Sequence, residues 1–199
     1  MRFLLYLVLI MFSSCKAQQV ITPIFDNDSP ERDPNNYFKD VDNDFDKFEG
    51  TWKYQDTLRE FTIKLEKKDS VNDNDGSYVY DLLIGEYLYK ENNVEIVNTL
   101  SDMDDPTIIG FNHNIVGNFI AHKFNRPACD NCSLDERRVT LIINNPTNID
   151  GMGWITLRHI VVDGLEQLEA TIKDESLIGV SPKPRLDVPN GNYILIKEP

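Results

Sequence analysis

Positive charge is scarce in this chain. Its 199 residues carry 20 Lys and Arg against 33 Asp and Glu, for a net charge of −13 at neutral pH. The densest basic spot is only Glu136-Arg137-Arg138. A surface that acidic repels a phosphate backbone, so nucleic acid is excluded as an expected partner. Histidine is scarcer still, with His113, His122 and His159, and the cysteines are Cys15, Cys129 and Cys132. No second cysteine pair and no His-x-x-x-His accompanies them, so no four-ligand metal set is legible and none is expected. Gly-x-Ser-x-Gly, His-Glu-x-x-His and a Gly-rich phosphate loop are all missing, which removes the common hydrolase and nucleotide signatures and leaves no cofactor to expect. No internal repeat is present, and no periodic segment is long enough to require a helix.

Long apolar runs are also lacking. The longest, Phe3 to Phe12, has ten residues where a spanning helix needs about 20. With Met1-Arg2 before it and Ser13-Ser14 after it, the run has the charge, length and small-residue tail of a secretory leader. "SSCKAQ" resembles the lipobox of bacterial lipoproteins, in which the cysteine becomes the lipidated N-terminus. That resemblance implies a signal peptide over 1–14 and a lipid anchor at Cys15. Secretion with cleavage near Ala17, or a buried N-terminal strand, are the alternatives. Lys16 is followed by Ala-Gln-Gln, not by the acidic residues typical of surface-exported lipoproteins. An exported protein on the periplasmic leaflet of the outer membrane is therefore expected, with the membrane as a partner through the Cys15 anchor.

Apolar residues make up 41% of the chain, enough for one domain with a real core. Composition divides it. Residues 15–47, rich in Asp, Asn and Pro, show neither a helical nor a strand period and read as an acidic tether. The "DVDND" within them fails as a calcium loop. With Asp40 at the first position, Phe45 and Thr51 fall where glycine and glutamate are needed. "NDNDG" at 72–76 fails likewise and reads as a turn.

From Phe48 onward the pattern is β. Phe61, Ile63 and Leu65 alternate with Thr62, Lys64 and Glu66, as do Val139, Leu141 and Ile143 with their polar neighbours. Gly85, inside "SYVYDLLIGEYLYK", predicts a bulge or bend. Asn92-Asn93 and Asp163-Gly164 predict tight hairpins. The succession gives about eight to ten short strands over 48–199. The fold class expected is all-β, a single antiparallel barrel or sandwich.

"FEGTWKY" at 48–54 resembles the first-strand Gly-x-Trp motif of lipocalin-like barrels. That resemblance implies a bend at Gly50 and Trp52 sealing the barrel base. The ordered set "FEGTWKY", "FTIKLEK", "LLIGEYLY", "CDNCSLDERRVTLI" and "PNGNYILIKE" is similar to a family of small Bacteroidota lipoproteins known only as a domain of unknown function. It supplies a fold and an address but no catalytic residues.

With Cys15 committed to lipid, Cys129 and Cys132 form a Cys-x-x-Cys between strands. A short-range disulfide suits an oxidising compartment. Free thiols, a metal site and a redox dithiol are the other readings. His159, alternating with Leu157 and Val161, reads as a half-buried, hydrogen-bonded histidine. Asp81 and Glu86 stand at odd separation in one strand and so point to opposite faces, which argues against a glycosidase pair. No catalytic residue is assigned. A non-enzymatic binding or interaction module is expected, taking a small apolar ligand in a lipocalin-like cavity or a protein partner. The alternative is a periplasmic hydrolase whose carboxylates converge only in the fold.

Overall fold

The computed structural model describes residues 20–25, 36–73, 75–148, 151–175 and 185–199. The leader with Cys15, and the tether over 26–35, lie outside the described residues. Among the described residues eleven strands run in chain order: β1 (Val20–Pro23), β2 (Asn36–Lys39), β3 (Gly50–Gln55), β4 (Arg59–Asn72), β5 (Val79–Glu91), β6 (Val94–Asn98), β7 (Ile115–Ala121), β8 (Arg138–Asn144), β9 (Met152–Val162), β10 (Leu165–Asp174) and β11 (Gly191–Lys197). The helical turns among the described residues are short 3-10 segments at Asp46–Phe48, Leu100–Asp104 and Gly110–Asn112.

Eight of the strands close on themselves. Each neighbour in the circuit β3-β4-β5-β7-β8-β9-β10-β11 is antiparallel to the next. The last strand returns to the first through Ile196↔Lys53 and Lys197↔Trp52. The fold is therefore an up-and-down β-barrel, which leaves no edge within its wall. Its tight turns follow local chemistry. Asn92 (φ 52°) and Asn93 (φ 62°), and Asp163 (φ 53°) with Gly164 (φ 80°), supply the paired positive φ values that a two-residue hairpin requires. Gly85 is not at a bulge. It pairs in register with Leu65 and with Ile115, and a Cβ there would stand 2.6 Å from Leu65 Cδ2 and 2.7 Å from the Lys64 carbonyl. The glycine marks the corner where β5 passes between β4 and β7. The described ladders shift register elsewhere, between Lys68 and Val71 on β4, between Tyr89 and Lys90 where β5 meets β6, and between Val116 and Phe119 on β7.

The inward positions form one apolar cluster. Trp52, Phe61, Ile63, Leu83, Tyr87, Ile115, Val139, Leu141, Ile143, Ile155, Leu157, Leu168 and Leu195 belong to it and have no solvent exposure. A void wide enough for water would leave accessible surface on the side chains around it. These have none, so the barrel is filled at their level as a close-packed interior is. The expected lipocalin-like cavity for an apolar ligand has no room among them, because large aromatics and branched aliphatics meet across a narrow eight-stranded barrel.

The expected boundary at Phe48 falls too late. β2 pairs in parallel with β5 and with β1, and Phe45 is fully buried in the main core. A hydrogen-bonded hub explains this docking. Asp81, buried on β5, accepts from the Tyr37 hydroxyl at 2.5 Å and from the Asp40 and Ser70 amides at 3.0 Å each. Asp40 accepts from the Asp44 and Phe45 amides at 2.8 and 3.0 Å and pairs with Lys67 at 3.1 Å. The acidic residues that read as solvated tether are here the acceptors that fix the segment 36–48 to the barrel.

Candidate functional site

Trp52 lies at the barrel end bearing the first 3-10 turn. It is fully buried, and its indole N–H donates to the Phe48 carbonyl at 2.8 Å. Gly50 has φ 119°, a backbone state that side chains rarely adopt. A half-buried cluster sits beside the indole. His159 meets the ring edge-on at 6.0 Å, and Lys197 stands 5.1 Å over it. Glu166 joins these two, at 3.1 Å from His159 Nε2 and 2.8 Å from Lys197 Nζ. His113 and Glu86 form a second buried pair at 2.9 Å, where Glu86 also accepts from the Asn114 side chain at 2.8 Å. Asp81 and Glu86 thus serve two separate networks, one at the N-terminal segment and one at the loop before β7. Among the described residues, no serine, threonine or cysteine donates to any of the three histidines, so neither pair presents an activated nucleophile.

The outer wall of β8, β9 and β10 is built differently. Thr140, Thr156 and Thr171 are cross-strand neighbours in one row. The next row holds Ile142, Trp154 and Lys173. These residues alternate with the inward apolar ones, so all six point away from the core. The connection from β7 to β8 folds back over this wall. Arg138, the first residue of β8, is buried beneath it. Its guanidinium donates to the carbonyls of Pro127 at 2.7 Å, His122 at 2.8 Å and Asn125 at 3.3 Å. Burial pushes that guanidinium below its ordinary pKa, against the opposing pull of the Glu136 charge, and the three carbonyls accept from its two terminal nitrogens. Arg158 on β9 ties down the far side of the loop. It pairs with Glu136, with Glu169 at 3.0 Å, and with the Asn131 carbonyl at 3.4 Å. The Arg158 bond holds the Glu136 carboxyl below its usual range. Cys129 and Cys132 are joined within the loop, with Cα atoms 5.4 Å apart, and the Lys123 ammonium donates to the Cys132 carbonyl at 2.8 Å.

Between loop and wall runs a groove of about 330 Å³ lined by Arg126, Pro127, the three threonines, Trp154 and Lys173. A smaller recess of about 100 Å³ shares Pro127, Thr156 and Thr171 with it and reaches Cys129, Arg138, Arg158 and Glu169. Thr140 and Thr156 share one hydrogen bond at 2.9 Å, and Thr171 donates to Asn192 at 2.9 Å. Acceptor lone pairs therefore remain on the floor. Trp154 is 41% exposed, a large ring left open between Ile142 and Lys173 on its row.

Gly50 and Trp52 thus occupy the barrel end, Cys129 and Cys132 belong to the β7–β8 loop with Cys129 lining the smaller recess, and Cys15 lies outside the described residues. The groove residues were not singled out from the sequence. One signal was present: in "GWITLRH", Trp154 shares the polar parity of Thr156 and Arg158, opposite to Ile155 and Leu157.

No curated protein and no solved structure matches the chain. The model of the Family of unknown function (DUF6705) matches residues 1–198, and the chain belongs to that family.

Proposed function

We propose that the protein is an exported, lipid-anchored binding module that recognises its ligand on the outer wall of the barrel, in the groove roofed by the β7–β8 loop. One observation carries the reading. The inward side chains leave no accessible surface at the barrel centre, while an exposed tryptophan and two cations converge outside it. Ligand sites combine an apolar platform with a few placed polar groups, and the groove has both. The leader and Cys15 support attachment at a membrane, where the barrel presents this wall to the surrounding compartment.

Native mass spectrometry of the protein isolated from its own host tests the binding role. A retained small molecule or chain fragment that is absent from the Trp154→Ala protein is expected. Retention in that variant, or consumption of the molecule by the purified protein, overturns the reading. Palmitate incorporation lost in Cys15→Ser tests the anchor, and an unlabelled wild type overturns it.

A further inference from the structure

We propose that the groove takes an acidic glycan, with one sugar ring seated on Trp154 and its carboxylate or sulfate met by Arg126 and Lys173. The proposal rests on the groove being the recognition surface and names what it recognises.

The charge pattern favours an anion. Most described cations in this acidic chain are spent on carboxylates: Lys53 and Lys90 on Glu60, Lys67 on Asp40 and Asp46, Arg137 on Asp42 and Asp44, Arg158 on Glu136 and Glu169. The side chains of Arg126 and Lys173 make no such contact among the described residues, and both are exposed. They line the same groove. Two unpaired positive charges lining one groove, on a protein of net charge −13, form a local sink for an anion that the remaining surface repels.

The exposed ring favours a flat-faced ligand. The other tryptophan, Trp52, is buried with a lysine over it and a histidine at its edge. Trp154 makes neither kind of contact. It stands directly across the strand pair from Lys173, so a ligand ring on the indole holds its substituent within reach of that ammonium.

The threonine floor adds polar partners. Thr140, Thr156 and Thr171 keep acceptor lone pairs beyond their one hydrogen bond each, which the hydroxyls of a bound ligand can satisfy in place of water. A sugar acid brings a ring face, hydroxyl donors and a negative charge together. An acidic peptide such as polyglutamate brings charge and amide donors but no ring face to lie on the indole. The volume, at the low end of the ligand-pocket range of about 300–1,000 Å³, holds one ring with its substituents and leaves the rest of a chain outside. The cleft of about 340 Å³ near the loop before β7 is the wrong sign for this ligand. It is lined by Asp69, Asp104 and Asp105, and Lys68 beside it is already paired with Glu66.

The test is a tryptophan-fluorescence titration of the full chain in detergent with trigalacturonate, a sulfated chondroitin oligosaccharide, neutral maltotriose and hexaglutamate. Saturable binding of an acidic sugar is expected, weakened by salt, with maltotriose at least about tenfold weaker, as loss of a charge-assisted bond implies. The carboxylate and sulfate arms identify which anion is preferred. The Arg126→Ala, Lys173→Ala double variant should lose at least about tenfold for the acidic sugar, and Lys173→Arg should retain binding. Both replacements are at exposed positions, and an unchanged Tm confirms the fold. Failure of both acidic sugars to bind, equal binding of maltotriose or hexaglutamate, or indifference to the double variant overturns the proposal. Equal binding of maltotriose that Trp154→Ala abolishes leaves the groove as the recognition surface and removes only the acidic ligand.

Discussion

Replacing Phe61 with alanine separates a filled barrel from a hollow one. Phe61 points inward from β4, has no exposure, and packs its ring 5.4 Å from that of Tyr193 and 6.4 Å from that of Tyr87. Both partners are anchored by their hydroxyls, which donate to the Pro189 carbonyl at 2.7 Å and the Asn144 carbonyl at 2.8 Å. They cannot slide far to fill the space. The cost is then the transfer of the lost ring plus most of the cavity it leaves, about 3–5 kcal/mol for Phe→Ala in a rigid core. For a domain of this size that lowers Tm by roughly 6–20 °C, at about 2–4 °C per kcal/mol. In a hollow barrel the ring would already face a void, no new cavity would form, and the loss would fall to about 1 kcal/mol, a fraction of full burial. Urea and thermal unfolding followed by the near-ultraviolet signal of Trp52 measures the difference. A cost below about 1.5 kcal/mol, with an apolar dye bound by the wild type, would refute the filled interior.

Four further outcomes follow from the same contacts. Arg138→Met removes the donor that three loop carbonyls share, and should cost about 1–3 kcal/mol while making Trp154 more accessible to acrylamide. Asp81→Ala frees Tyr37 and the Asp40 and Ser70 amides, so limited proteolysis should cut within residues 36–47 while the barrel strands stay protected. At low pH, Glu136 (held down by Arg158) and Glu166 (held down by Lys197 and His159) have folded pKa values below their unfolded ones. Their stabilisation is present above about pH 4.3 and is lost as pH falls below it, and Glu136→Gln should flatten part of that acid slope. At high pH, burial pushes the Tyr193 hydroxyl up to about 12. The unfolded chain ionises near pH 10, so stability holds to about pH 10 and falls as pH rises from there towards 12, which tyrosinate absorbance during unfolding will follow.

Much of the barrel was legible because its signals are local. The alternation at Phe61, Ile63 and Leu65 and the Asn-Asn and Asp-Gly turns fix strands and hairpins without knowledge of distant partners. What escaped depends on partners far along the chain. Asp40, Asp42 and Asp44 resemble solvated linker until Asp81, Lys67 and Arg137 are brought to them by the fold. Closure of the barrel, and so its filled interior, depends on β11 meeting β3, a pairing that no local pattern encodes. The groove was hidden for a related reason. Arg126 is in the β7–β8 loop, Trp154 and Lys173 are on β9 and β10, and only the register of three strands with a folded-back loop sets them side by side. Gly50 and Trp52 carried a structural signal, and the structure places them at the barrel end, away from the groove.

Recognition on the outer wall rather than inside the barrel can be read from the two indole N–H resonances, which report on the two places separately. Trp52 donates to the Phe48 carbonyl within the core, whereas Trp154 lines the groove, and Trp154→Phe assigns the pair by removing one. Titration of the isotope-labelled full chain with trigalacturonate should move the Trp154 resonance and leave that of Trp52 in place. A shift confined to Trp52, or to the inward-facing residues around it, would place the ligand inside the barrel and overturn recognition on the outer wall.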